Sequence, residues 1–148
     1  MATIYFSGAI TGGRGDVAQY RRIVAALEAA GHRVLAGAVA SEAIGDAGEA
    51  LDERVIFDRD LRWLDEADLL VAEVSVASLG VGYEIAYARY RRDIPVVCLW
   101  RPGFSKRCSA MISGDPGVEL IRYEEVDSMV PKLLESVRTL SRYPARLP

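Results

Sequence analysis

The chain has 148 residues, 51% of them apolar, and a formal net charge of −3, which suits one domain over residues 1–148 with a real core and excludes both intrinsic disorder and a basic footprint for nucleic acid. One His and two separated cysteines, Cys98 and Cys108, exclude a multi-His metal site, a zinc cluster and a disulfide framework. No apolar run approaches the roughly 20 residues of a membrane span, and the N-terminus enters a strand without a basic-then-apolar leader, so the expectation is a soluble cytoplasmic protein (or a nuclear one in a eukaryote) without membrane or nucleic-acid partners.

In chain order, Ala2 to Ser7 reads as a buried strand ended by Gly8. The loop from Gly8 to Gly15 carries four glycines, and Asp16 is placed to cap a helix running to about Ala30, with Ile23, Val24 and Leu27 on one face and Gly31 as its stop. A strand, a glycine loop and a helix open a dinucleotide-binding fold, but the spacing is not G-x-G-x-x-G. The loop therefore predicts contact with a phosphate or sugar rather than a Rossmann cofactor. Arg33 to Val39 is a second, weaker strand. Ser41 to Glu53 reads as a loop with a short helix, long enough to be a flap over a site.

Val55 to Ala67 is predicted helical. Ile56, Asp60, Trp63, Leu64 and Ala67 share one face, while Arg59, Arg62 and Asp65 point to solvent. Asp60 thus interrupts an apolar face, which is costly unless the carboxyl is paired or protonated. Two readings stay open: an Asp bonded to a nearby loop or Arg, or a general acid whose pKa burial has raised.

Asp68 to Val74 is the most apolar strand and the centre of the sheet; its Glu73 reads as structural. Ser78-Leu79-Gly80-Val81-Gly82-Tyr83-Glu84 follows, and then a helical run from Ile85 to Arg92. Gly80 and Gly82 would let the backbone turn and a ligand approach the main chain. The unpaired N–H groups of a first helical turn attract phosphate, and the helix dipole favours ionised Glu84. The plainer alternative is two turn glycines and a helix-end charge. Pro95 to Trp100 is a further strand, Ser105 to Ser113 a short helix, Val118 to Tyr123 the last strand, and Glu124 to about Arg142 a closing helix with Pro131 near its first turns. Five strands alternating with helices predict an α/β, five-stranded parallel, Rossmann-like (doubly wound) sheet with helices on both faces. Ligands bind such sheets at the carboxyl ends of the strands, where the first glycine loop and the Ser78–Glu84 segment both fall.

Tyr5-Phe6-Ser7-Gly8-Ala9-Ile10 with Gly12-Gly13-Arg14, then Asp60-Leu61-Arg62-Trp63-Leu64, Ala72-Glu73-Val74, Ser78 to Glu84 and Ser109-Ala110-Met111-Ile112 occur in an order that resembles the 2′-deoxynucleoside 5′-monophosphate N-glycosidases of the nucleoside 2-deoxyribosyltransferase superfamily. The resemblance spans Tyr5 to about Glu125. It implies hydrolysis of a deoxynucleotide's N-glycosidic bond to free base and 2-deoxyribose 5-phosphate, without a cofactor or metal. By position, Glu84 is the implied nucleophile at C1′, Asp60 the residue that protonates or hydrogen-bonds the leaving base, and Tyr5 the group that places Glu84 and the sugar. Ser78, Gly80 and Gly82 are implied in holding the 5′-phosphate, with Ser7, Gly8, Ile10, Gly12, Arg14 and Met111 also implied around the substrate. Ser109 would reach the substrate of a neighbouring subunit, which implies a homodimer. Thr11 stands where the family often has Arg, a lost charge beside the implied phosphate site.

Two carboxyl groups suit an oxocarbenium-like transition state, one ionised beside C1′ and one protonated near the leaving group. The sequence predicts that division, with Glu84 ionised and Asp60 protonated. A nucleoside 2-deoxyribosyltransferase, a CMP-type ribonucleotide N-glycosidase and a nucleotide-binding module without turnover are the competing readings. The base preference and the 2′-hydroxyl filter are not written in these motifs.

Overall fold

The computed structural model describes residues 1–10, 16–41, 49–103 and 107–142. Five strands, β1 (Thr3–Ser7), β2 (Arg33–Leu35), β3 (Leu69–Glu73), β4 (Val96–Trp100) and β5 (Val118–Arg122), form one all-parallel sheet in the order β2-β1-β3-β4-β5. The order reverses between β1 and β3, so this topology opens its crevice beside the carboxyl ends of those two strands. The predicted fold class is the one observed.

Helices α1 (Val17–Ala29) and α5 (Val126–Arg142) pack together on one face, and α2 (Glu53–Glu66) and α3 (Leu79–Ala86) cover the other. A four-residue α4 (Ala110–Ser113) precedes β5. Strand pleating sorts the core. Ile4 and Phe6 of β1 and Leu69 and Val71 of β3 join the α1/α5 core, while Tyr5, Leu70 and Ala72 join the α2/α3 core. Ser7, two residues beyond Tyr5, falls on the α2/α3 side by the same parity.

Several boundaries differ from the sequence expectation. The second strand stops at Leu35 instead of Val39, because the chain turns at Gly37, whose φ is +50°. Asp16 precedes α1 but makes no side-chain cap; its carboxylate instead accepts from Arg101 Nη2 at 2.5 Å. The third helix begins at Leu79 rather than Ile85, with the Ser78 hydroxyl capping Val81 N–H at 3.3 Å. Gly80 and Gly82 are therefore helical residues, not turn residues, and neither has a positive φ.

After Ala86 the helix widens into a π-helical segment, Tyr87–Arg92. This segment is tied to α2: the Tyr87 hydroxyl donates to Asp65 Oδ1 at 3.0 Å, and Arg92 Nη2 donates to the Asp65 carbonyl at 2.6 Å. Among the described residues no helix is long and apolar enough to cross a membrane.

Candidate active site

The site begins at the carboxyl end of β1. Tyr5 and Ser7 point to the face covered by α3, and both meet Glu84, which lies in the second turn of that helix. The Tyr5 hydroxyl donates to Oε1 at 2.9 Å, and the Ser7 hydroxyl donates to Oε2. Both carboxylate oxygens of Glu84 are thus held by β1. This fixes the rotamer and leaves the remaining lone pairs for substrate.

Asp60 comes from α2 on the same side. It lines a cavity of about 420 Å³ together with Tyr5, Gly8, Ile10, Ser78, Gly80 and Glu84. Gly8 packs closely there: a Cβ would lie 3.0 Å from the Tyr20 ring and 3.1 Å from Val39, tighter than ordinary van der Waals contact. Gly82, Ser109 and Met111 line a second cavity of about 550 Å³ instead, which shares Ser78 and Val81 with the first. Gly12 and Arg14 lie outside the described residues, as do Thr11 and most of the predicted flap.

Burial pushes the Glu84 carboxyl up to about 7, with the Ser7 and Tyr5 hydroxyls opposing the rise, nearby Asp60 adding to it and Arg59 opposing it. The dipole argument that favoured ionised Glu84 is outweighed. Glu84 is the sixth residue of α3, and the helix-end effect fades beyond the first turn. Burial also raises Asp60, but Arg59 beside it works against the rise. In the free protein the proton therefore rests with Glu84 more than with Asp60, the reverse of the division expected from sequence. The environment of Asp60 has elements of both readings: burial raises its carboxyl, and it is paired with an Arg.

That Arg was missed. Arg59 was expected in solvent, yet its side chain is 18% exposed and lies in the cavity wall. Its Nε donates to Asp60 Oδ1 at 2.9 Å, and its two terminal nitrogens take the Glu49 carboxylate at 2.6 and 2.7 Å. The guanidinium lies 4.8 Å from the centre of the Trp63 ring, within cation–π range. Helical periodicity could not find this arrangement, because Arg59 is turned inward by Glu49, a partner beyond its own helix. The one signal available was a charge next to an inward Asp.

Glu73 is structural, as expected. It is fully buried on the opposite face, where Ser75 Oγ and the Tyr123 hydroxyl, the latter at 3.0 Å, donate to it. Among the described residues no group of three or more His, Cys, Asp or Glu could hold a metal ion.

Residues 4–111 match the nucleoside 2-deoxyribosyltransferase family. The chain belongs to that family. Its relatives include a protein of Syntrophotalea carbinolica named "Putative 2′-deoxynucleoside 5′-phosphate N-hydrolase 1", 43% identical over 134 residues, covering 90% of this chain and 93% of the relative. The 5-hydroxymethyl-dUMP N-hydrolases of Danio rerio and Mus musculus are each 40% identical, over 142 and 141 residues, covering 90% of this chain and 96% and 80% of theirs. The solved structure of Clostridium botulinum CMP N-glycosidase superposes with a TM-score of 0.64 at 16% identity, covering 90% of this chain and 98% of that one. That likeness is one of fold. Within the family match, residues 4–111 contain Tyr5, Asp60, Glu84 and Ser109 together.

Proposed function

We propose that this chain hydrolyses the N-glycosidic bond of 2′-deoxynucleoside 5′-monophosphates, releasing free base and 2-deoxyribose 5-phosphate. The observation that carries the reading is the pair of hydroxyls, Tyr5 and Ser7, fixed on the two oxygens of Glu84 in a cavity that also holds Asp60. The relatives named as N-hydrolases of deoxynucleotides support the same reaction.

A Glu84 carboxylate oxygen bonds to C1′ as the C1′–N bond breaks. Its electron pair leaves on the base nitrogen, which takes the proton from Asp60. Water then attacks C1′ and gives a proton to the Asp60 carboxylate, and the bond to Glu84 breaks to restore the carboxylate. Positive charge developing at the sugar favours ionised Glu84, so it draws the shared proton of the pair toward Asp60, where the leaving group needs it. Ser78, the first N–H groups of α3 and the side-chain-free approach at Gly80 and Gly82 suit the 5′-phosphate. Gly12 and Arg14 of the first loop are implied around the substrate by resemblance.

The active unit is a homodimer. Leu79, Tyr83, Tyr90 and Met111 are exposed large side chains on α3, the segment after it and α4, beside the cavity that holds Ser109. A second copy covering this apolar face would carry its Ser109 toward the first copy's phosphate.

The test is release of free base from dGMP, GMP, deoxyguanosine and the pyrimidine deoxynucleotides under identical conditions, with Glu84→Ala as control. Release confined to deoxynucleotides and abolished in the variant supports the reading. Release from GMP replaces it with a ribonucleotide hydrolase. Base exchange between nucleosides replaces it with a transferase, and no release from any substrate leaves a binding module.

A further inference from the structure

The wall of the cavity beside Asp60 carries two charged groups, Glu49 and Arg59, that the reaction above does not use. We propose that Glu49 and Arg59 form a clamp that positions Asp60, with Glu49 holding the Arg59 guanidinium and Arg59 holding one oxygen of the acid that serves the leaving base. This inference rests on the proposed glycosidase reaction.

The geometry is specific. Adjacent residues on a helix point about 100° apart, so Arg59 and Asp60 do not meet by default. They meet here because Arg59 is fixed on three sides. Glu49 accepts from both terminal nitrogens at 2.6 and 2.7 Å, Trp63 lies under the guanidinium at 4.8 Å, and Nε reaches Asp60 Oδ1 at 2.9 Å. A planar guanidinium can serve two carboxylates on different edges at once, which an ammonium cannot. Among the described residues Oδ2 of Asp60 has no hydrogen-bond partner. The clamp therefore takes one oxygen and leaves the other for the base.

The Glu49 side chain is 8% exposed and the Arg59 side chain 18%. An ion pair this well covered is not a surface pair of negligible worth. Gly37 completes the support: a Cβ there would lie 2.8 Å from the Trp63 ring, so the turn after β2 is shaped to let Trp63 lie where it carries Arg59.

The clamp also bears on where the proton sits. The charged and titratable groups around Asp60 are Arg59 on its own helix, Glu49 from the segment before α2, Tyr5 from β1 and Glu84 from α3, with Glu53 lining the same cavity. Arg59 alone is positive. Glu49 divides that charge, so that Asp60 is oriented without being locked in its ionised form.

The test uses Glu49→Gln, Arg59→Gln and Arg59→Lys. The Asp60 carboxyl is titrated in the free protein by carbon NMR, and kcat and KM are measured on whichever deoxynucleotide the parent protein hydrolyses. The Asp60 midpoint should fall in Glu49→Gln, where the whole Arg59 charge bears on it, and rise in Arg59→Gln, by about one pH unit each. Each variant should lose about tenfold in kcat, with KM changed much less. Arg59→Lys should keep the midpoint near the parent value but not recover kcat, because the charge remains and the fork is gone. A merely structural role would not move the midpoint in opposite directions. Midpoints that stay put or move together, or parent-level kcat in Arg59→Gln, overturn the clamp. A parent protein that releases no base overturns the reaction beneath it, and the titration still decides whether the clamp exists.

Discussion

The Tyr5 hydroxyl donates to Glu84 Oε1 at 2.9 Å across 79 positions of sequence, joining the first strand to the helix that carries the proposed nucleophile. This bond stabilises the ionised form of Glu84 against burial. Tyr5→Phe removes it without removing the ring from the core. We expect kcat to fall about 10- to 100-fold, the cost of losing a hydrogen bond to a charged group of about 1.5–3 kcal/mol, with KM little changed. Steady-state kinetics on the cognate deoxynucleotide check this.

The Glu84–Asp60 pair sets a pH limit. With Glu84 raised to about 7, the pair holds one proton below that pH and none above it. The leaving base needs that proton, so kcat/KM should fall as pH rises through about 7. The limb belongs to the pair rather than to either residue. Tyr5→Phe should move it to higher pH, because Glu84 then keeps its proton longer. A pH–rate profile of parent and variant checks both statements.

The same group affects stability. The folded-state pKa of Glu84 lies above its ordinary value of 4.5, so its contribution is fully present below about pH 4.5 and is lost as pH rises through about 7. Glu84→Gln carries no charge to bury. Its melting temperature should exceed the parent's at pH 8 by at least about 2 °C, the shift expected for about 1 kcal/mol in a chain of this size, and the gain should shrink at pH 5. Thermal melts at the two pH values decide it.

Gly82 offers a test that separates folding from binding. It lies in a helix at negative φ, and a Cβ there would meet nothing within 4 Å. Gly82→Ala should stabilise the protein by about 0.5–1 kcal/mol through helix propensity. If phosphate lies against this backbone, KM should rise at least several-fold while kcat holds. A denaturant melt and a saturation curve measure the two effects. An unchanged KM would remove Gly82 from the phosphate site.

The dimer is tested by mixing. Glu84→Ala and Ser109→Ala proteins, each nearly inactive alone, should regain part of the activity when exchanged into mixed dimers, because one of the two sites then has an intact Glu84 and an intact partner Ser109. Sedimentation at working concentration should show a dimer. A monomer with full activity would sink the shared site.

The sheet and the two carboxyls were legible because they follow from local rules. Short apolar runs alternate with helical patterns, and Asp60 breaks an otherwise apolar helical face. The pairing of Ser7 with Glu84 was within reach of strand parity, since Tyr5 and Ser7 must share a face. What stayed hidden depended on distant packing. Arg59 is drawn inward by Glu49, Trp63 lies where Gly37 leaves room, and Ser78 starts a helix through two glycines that local propensity reads as a turn. The proton balance was misread because burial, a property of the assembled fold, exceeded the helix dipole.

The π-helical segment after α3 has a consequence for how this scaffold could change its chemistry. Tyr87 and Arg92 fasten it to Asp65, one and a half turns beyond Asp60 on α2. The helix that runs on from Glu84 and the helix that carries Asp60 are therefore also joined outside the cavity, at an exposed helix end. Close carboxyls give double displacement, and wider ones admit a water for direct displacement with inversion at the anomeric carbon. Substituting Asp65 would loosen that join without touching a residue that lines the cavity, and the anomeric configuration of the first-formed product would report whether the carboxyl spacing follows.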